Sequence, residues 1–208
     1  MARAPVPEPA GDRREELLAV GLRLFSDRPY DELLLDDIAA EAGVAKGLVH
    51  YYFGSKRGYY VAIVKAAAVE MRERLDPDPA LAPAGRLRRS LDAYLRYVDE
   101  HSAGYRTLLG GGIGMDPEVL AIRDAERAFV MDLILQGLDL PGDPAPALRT
   151  ALEGWLSFVE GVSLEWLVHR DLERDQVRDL LITALAGALT AARAVDPSLD
   201  VDPGVVSP

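Results

Sequence analysis

Apolar positions recur at intervals of three and four along most of the chain, and no convincing run alternates with a period of two. That spacing predicts an all-α protein. Leu17, Leu18, Leu22, Leu24 and Phe25 give a first helix, at about 12–27, one apolar face, and Pro29 ends it by disfavouring helix at Arg28. Two short helices follow at about 35–42 and 46–53, separated by Gly43. Ser55 is placed to cap a fourth helix that runs to about Leu75. The proline-rich "DPDPALAPAG" reads as a loop, and beyond it the pattern predicts helices at about 86–102, 104–112, 117–138, 145–170 and 173–194. That makes about nine helices, with no internal repeat. Residues 1–11 and 196–208 carry proline and no period, and read as disordered tails.

The last two helices have the strongest stripes. One repeats Leu148, Leu152, Trp155, Leu156, Val159, Val162, Trp166 and Leu167; the other repeats Val177, Leu181, Ala184, Leu185, Ala188, Leu189 and Ala192. Helices this apolar need partners, and the small face of Ala184, Gly187, Ala188 and Ala191 permits close approach by another helix. From the pattern alone, the pair either completes the core of one chain or joins two chains.

The two short helices satisfy the packing rules of a helix-turn-helix, which constrain small and apolar positions rather than reactive ones. With Gly43 at the turn, Ile38 and Ala39 face inward from the first helix, Ala42 and Val44 flank the turn, Val49 faces back from the second, and Tyr52 closes its end. Glycine suits the left-handed conformation that such a turn commonly takes.

Charge sharpens this picture. The net charge of −11 argues against a general nucleic-acid coat. Yet no acidic residue lies between Glu41 and Glu70, where Lys46, Lys56, Arg57 and Lys65 stand, whereas Asp76 to the C-terminus carries 12 basic and 22 acidic residues. The absence of cysteine removes disulfides, thiol nucleophiles and Cys-ligated zinc, and is compatible with a reducing cytoplasm. No run approaches the roughly 18 to 20 apolar residues of a membrane span, and no secretory h-region opens the chain, so a soluble cytoplasmic protein with no membrane partner is expected. With His50, His101 and His169 as the only histidines, no catalytic residues, metal site or cofactor motif are expected, and the protein is not read as an enzyme. The glycines of "LLGGGIGMD" fit neither dinucleotide nor Walker spacing; they read as a flexible break between helices.

The stretch "DDIAAEAGVAKGLVHYYFGSKRGYYVAIV" resembles the N-terminal signature of the tetracycline-repressor (TetR) family of bacterial regulators, through Gly43, Val44, Gly47, Val49, Tyr52, Phe53, Ser55 and Lys56. The resemblance covers about residues 13–65 by motif and the remainder by helix count and length. It implies a helix-turn-helix DNA-binding domain over 12–54 and a ligand-binding and dimerisation domain over 55–195. The second motif helix would enter the major groove of a double-stranded operator. Lys46 would read a base or phosphate, Gly47 would admit the backbone closely, His50 and Tyr51 would meet phosphates or bases, and Lys56 would contact a phosphate; Tyr52 and Phe53 would mainly pack.

The sequence departs from the family where hydroxyls are usual, with Leu34, Ala45 and Leu48, and holds His50 in place of the usual tyrosine. Three lost hydroxyl contacts at about 1 kcal/mol each correspond to roughly two orders of magnitude in affinity. Leu48 could instead touch a thymine methyl. Further along the chain, the resemblance implies a homodimer through the last two helices and an unidentified small-molecule effector. Candidate effector contacts are Tyr94, Tyr97, His101, Tyr105, Phe129, Met131, Trp155, Phe158 and Trp166, apolar bulk with a few polar tips. The function implied is a ligand-responsive repressor. The alternative keeps the fold as a small-molecule or protein-binding adaptor that has lost specific DNA binding.

Overall fold

The structure, a computed structural model, describes residues 10–75, 78, 80–140 and 142–206. The described residues contain nine α-helices and no strand: α1 (Ala10–Asp27), α2 (Leu35–Glu41), α3 (Lys46–Phe53), α4 (Lys56–Leu75), α5 (Pro83–Glu100), α6 (Ser102–Leu109), α7 (Pro117–Gly137), α8 (Pro146–His169) and α9 (Arg174–Val195). Short 3-10 turns lie at Tyr30–Glu32, Gly112–Met115 and Pro203–Val206. The all-α fold follows the periodicity closely. Two boundaries move by three residues: α6 ends at Leu109, ahead of the glycine run, and α5 begins inside the proline-rich loop, at Pro83, because proline in a first helical turn forfeits no hydrogen bond and arrives with helical φ.

The chain divides into two compact units. The first comprises the residues through Val69 together with His101–Val119. In it α1 packs against α2 and α6, around fully buried Leu17, Leu33, Ile38, Val49 and Tyr59. Aromatic rings tie the elements together: Phe25 meets Tyr60 at 5.3 Å, Tyr30 meets Tyr60 at 5.0 Å, and Phe53 meets Tyr59 at 4.8 Å, all edge-on. The Tyr59 hydroxyl donates to the Leu17 carbonyl, and burial pushes the pKa of this phenol well up. The glycine run is more than a break. Gly114 is buried in its turn, and a β-carbon there would stand 2.3 Å from the Leu108 carbonyl oxygen, so only glycine fits.

The second unit comprises Glu70–Glu100 and the residues from Leu120 onward. Helix α9 packs on α8 and on α5, burying Leu91, Leu95, Leu148, Leu152, Trp155, Leu181, Leu185 and Leu189. The Trp155 indole N–H donates to the Leu181 carbonyl and that of Trp166 to the Leu172 carbonyl, each at 2.9 Å. The strongest apolar stripes of α8 and α9 are therefore consumed within one chain. Arg178, 9% exposed, lies beside Asp92, Asp175 and Asp179 at 2.9 to 3.0 Å.

The C-terminal tail corrects the sequence reading. Through Val206 it is folded onto α5 and α9, with Val201 buried just before the 3-10 turn at Pro203–Val206 and Val206 buried at its end. The expected N-terminal tail, 1–11, lies outside the described residues up to Pro9; α1 begins at Ala10. No helix among the described residues is long and apolar enough to cross a membrane.

Candidate nucleic-acid interface

The turn between α2 and α3 is fixed by backbone bonds. Gly43 has φ of 64°, its N–H donates to the Ala40 carbonyl (3.1 Å), and the Val44 N–H donates to the Ala39 carbonyl (2.9 Å). This pair of bonds is a glycine-terminated helix end that satisfies carbonyls the helix leaves open. Neither motif helix has a hydroxyl cap. At α2 the Asp37 carboxylate accepts from the Leu34 N–H (3.1 Å), and at α3 the Leu48 N–H falls back on the Ala45 carbonyl (2.9 Å). Helix α4 keeps its expected cap, with the Gly58 N–H donating to Ser55 Oγ (3.0 Å).

Helix α3 divides its residues sharply. Val49 is fully buried and holds the helix to the head, while Lys46, Gly47, His50 and Tyr51 are exposed. Positions 46, 47, 50 and 51 fall on one face at helical spacing. Tyr51 is 79% exposed, with its ring edge-on to Tyr52 at 5.2 Å. Leu48 is half-buried, as are Tyr52 and Phe53. His50 Nδ1 lies 3.1 Å from the Gly54 carbonyl; donating there, it leaves Nε2 outward as an acceptor.

The four cations of the acid-free window are all partnered. Lys46 Nζ lies 2.9 Å from Asp36 Oδ2, and Lys56 Nζ sits 4.3 Å from the centre of the Tyr30 ring. Arg57 forms a two-pronged pair with Asp116 at 2.6 and 2.7 Å and reaches Glu118 at 3.5 Å, while Lys65 meets Glu118 at 2.8 Å. The Arg57 guanidinium holds the Asp116 carboxyl below its ordinary pKa, and Lys65 does the same for Glu118. From the sequence, Asp36 at the start of α2 favours the helix dipole and would repel a nearby phosphate, but it is not marked as a partner of Lys46, and neither Asp116 nor Glu118 is marked at all. Asp36 is ten residues from Lys46 across a predictable turn and was within reach of sequence reasoning; the other two stand more than fifty residues from their partners and gave no local signal.

The proposed effector residues scatter by environment. Tyr97, Met131, Trp155 and Trp166 are buried; Tyr94, His101, Tyr105 and Phe129 are half-buried; Phe158 is 40% exposed on α8. His101 and Tyr105 belong to the first unit and the rest to the second. Guanidinium groups cover two of these rings, Arg72 over Phe129 at 4.9 Å and Arg74 over Tyr97 at 5.0 Å. A surface groove of about 600 Å³ in the second unit is lined by Arg74, Arg88, Arg89, Asp92 and Arg96 among others, and by none of the aromatic set. Among the described residues no three His, Asp or Glu side chains are grouped to hold a metal ion.

A short turn held by Gly43, an inward Val49 and an outward polar face are the geometry of a helix-turn-helix, and comparison with known proteins agrees. Residues 17–63 match the family model described as bacterial regulatory proteins, tetR family, and residues 83–187 match the tetracyclin repressor-like C-terminal domain. The transcriptional activator FasR of Mycolicibacterium smegmatis is 29% identical over 154 residues, 69% of this chain and 68% of that protein. The transcriptional repressor DhaR of Mycobacterium sp. strain GP1 is 24% identical over 192 residues, covering 91% of this chain and 83% of its own length. Among solved structures, a tetR-family transcriptional regulator from Streptomyces coelicolor superimposes with a TM-score of 0.84 at 30% identity, over 91% of this chain and 86% of that one. With both the head and the C-terminal helices matched, the chain belongs to the TetR family of helix-turn-helix transcriptional regulators.

Proposed function

We propose that the chain is a cytoplasmic, homodimeric repressor that grips a pseudo-palindromic operator through α3 and the first turn of α4, and that a small-molecule effector bound among the C-terminal helices releases it. The observation that carries this reading is the outward face of α3. An eight-residue helix is anchored by Val49 and turns Lys46, Gly47, His50 and a 79% exposed Tyr51 to water, an arrangement with no packing purpose. Lys56, at the start of α4, stands where helix N–H groups favour a phosphate.

Dimerisation through α8 and α9 is supported by what those helices leave outside. Phe158, Val168 and Leu180 are exposed, and β-carbons added at Gly154, Gly161 or Gly187 would meet nothing within 4 Å. Helix α4 contributes to both units, so an effector that prefers one arrangement of the second unit would shift the head with it. Repression requires only occupancy of the operator, and DhaR is named for that sign while FasR is named for the opposite.

The test is a gel shift and footprint on the DNA upstream of the chain's own coding sequence, without ligand, over a salt series. Binding should weaken steeply with salt and protect two half-sites about 34–36 Å apart. No shift at low salt would overturn the reading. One observation favours the adaptor instead: every cation of the Lys46–Lys65 window already has a partner within the chain. Under that reading Lys46→Ala and Lys56→Ala leave function intact, whereas a DNA reader loses binding.

A further inference from the structure

We infer that Asp36 is a specificity-determining residue acting through Lys46: the pair withholds the Lys46 ammonium from phosphates and leaves it able to donate to an uncharged base edge. The inference rests on the DNA-binding reading above. Asp36 stands in the first turn of α2 and Lys46 is the first residue of α3, so the α2–α3 turn brings together an acid and a base ten residues apart, with Nζ and Oδ2 at 2.9 Å. Both side chains are half or more exposed, 50% for Lys46 and 62% for Asp36. An ion pair so exposed contributes little to stability. Its consequence lies at the surface it presents.

An ammonium has three donors, and the bond to Asp36 uses one. A phosphate approaching the remaining donors also approaches the Asp36 carboxylate, and like charges at that range repel. The O6 and N7 acceptors of guanine carry no net charge and meet no such opposition, so Lys46 can serve them without leaving Asp36. The same pair therefore opposes sequence-independent binding and tolerates a base contact. The surroundings magnify the effect. Between Asp12 and Val69 the chain carries eight basic and nine acidic residues, and the other cations of the window are held by Tyr30, Asp116 and Glu118. Freeing one cation in such a balanced head is a large change in its attraction to phosphate.

The experiment compares wild type, Asp36→Asn, Lys46→Gln and the double variant on the footprinted operator and on a scrambled duplex of equal length and composition, across a KCl series. Asp36→Asn should bind the scrambled duplex roughly 3- to 10-fold more tightly per engaged head at about 0.1 M salt, and steepen the log–log salt dependence by about 0.9 per head, one phosphate each. Operator affinity should change by less than about twofold, so the specificity ratio falls by the scrambled-duplex factor. In the Lys46→Gln background, Asp36→Asn should change neither slope nor ratio. An unchanged slope and ratio in Asp36→Asn overturns the inference, and so does an equal change in the Lys46→Gln background, which would make Asp36 a general repulsive charge. Wild type that binds neither duplex overturns the DNA-binding reading itself, and the inference with it. Thermal melts accompany each variant, and Asp36→Gln replaces Asp36→Asn in the comparison if the latter melts early.

Discussion

A β-carbon at Gly47 would meet no atom within 4 Å, so nothing inside the chain requires glycine in the first turn of α3. Glycine in an exposed helix costs about 1 kcal/mol relative to alanine, a cost that DNA contact explains if the backbone must come close to a groove wall. Gly47→Ala should therefore raise the melting temperature slightly while weakening operator binding; a variant that melts higher and binds equally well would remove Gly47 from the interface. Tyr51 makes the complementary point, since its large ring lies in water although the neighbouring Tyr52 is half-buried. At this scale the sequence was informative. Val49 inward follows from the helix-turn-helix packing rules, the outward roles of Lys46, His50 and Tyr51 were implied by the family resemblance, and Leu34 and Ala45 stand at helix starts that the structure shows without a hydroxyl cap.

The start of α4 is held by charge on its outer face as well as by the buried Tyr59 and Tyr60 on its inner one. Arg57 and Lys65, two turns apart, reach Asp116 and Glu118 at the beginning of α7. Because Asp116 and Glu118 titrate below their ordinary values, the stabilisation they give is complete above the usual carboxylate range and disappears as pH falls through their lowered values. Asp116→Asn should lower the melting temperature near neutral pH and shrink the difference from wild type as pH falls below about 4. Melts from neutrality into acid check this, and a difference that stays constant with pH would mean the carboxylate charge is not what matters. None of this pairing could be read from the sequence. Arg57 and Asp116 are 59 residues apart, and neither periodicity nor local charge pattern encodes such a partner.

For the whole molecule, the proposed dimer places a mate helix on the outward remainder of α8 and α9. Gly187 is exposed and a β-carbon there meets no other atom within 4 Å, so the folded chain should tolerate Gly187→Trp, while a mate helix packed close would be displaced. Light scattering should then give a mass near 22.6 kDa for the variant and twice that for wild type. Equal masses for the two would exclude this face as the dimer contact. The strongest stripe in the sequence, Val177 through Ala192, pointed toward some partner but could not tell a helix of the same chain from one of a second. The structure spends that stripe on α5 and α8 and leaves a weaker, glycine-containing face outside.

The sequence by itself determined the helices, the turn at Gly43 and the inward Val49 of α3, because each depends on spacing within a few residues or on one residue's backbone freedom. Only the tertiary structure decided where the charges go and which apolar faces remain. Arg57 to Asp116 and Lys65 to Glu118 join residues more than fifty positions apart, and the C-terminal valines close onto α5 and α9. A charge or a methyl group announces that it needs a partner; its address is set by how the helices pack.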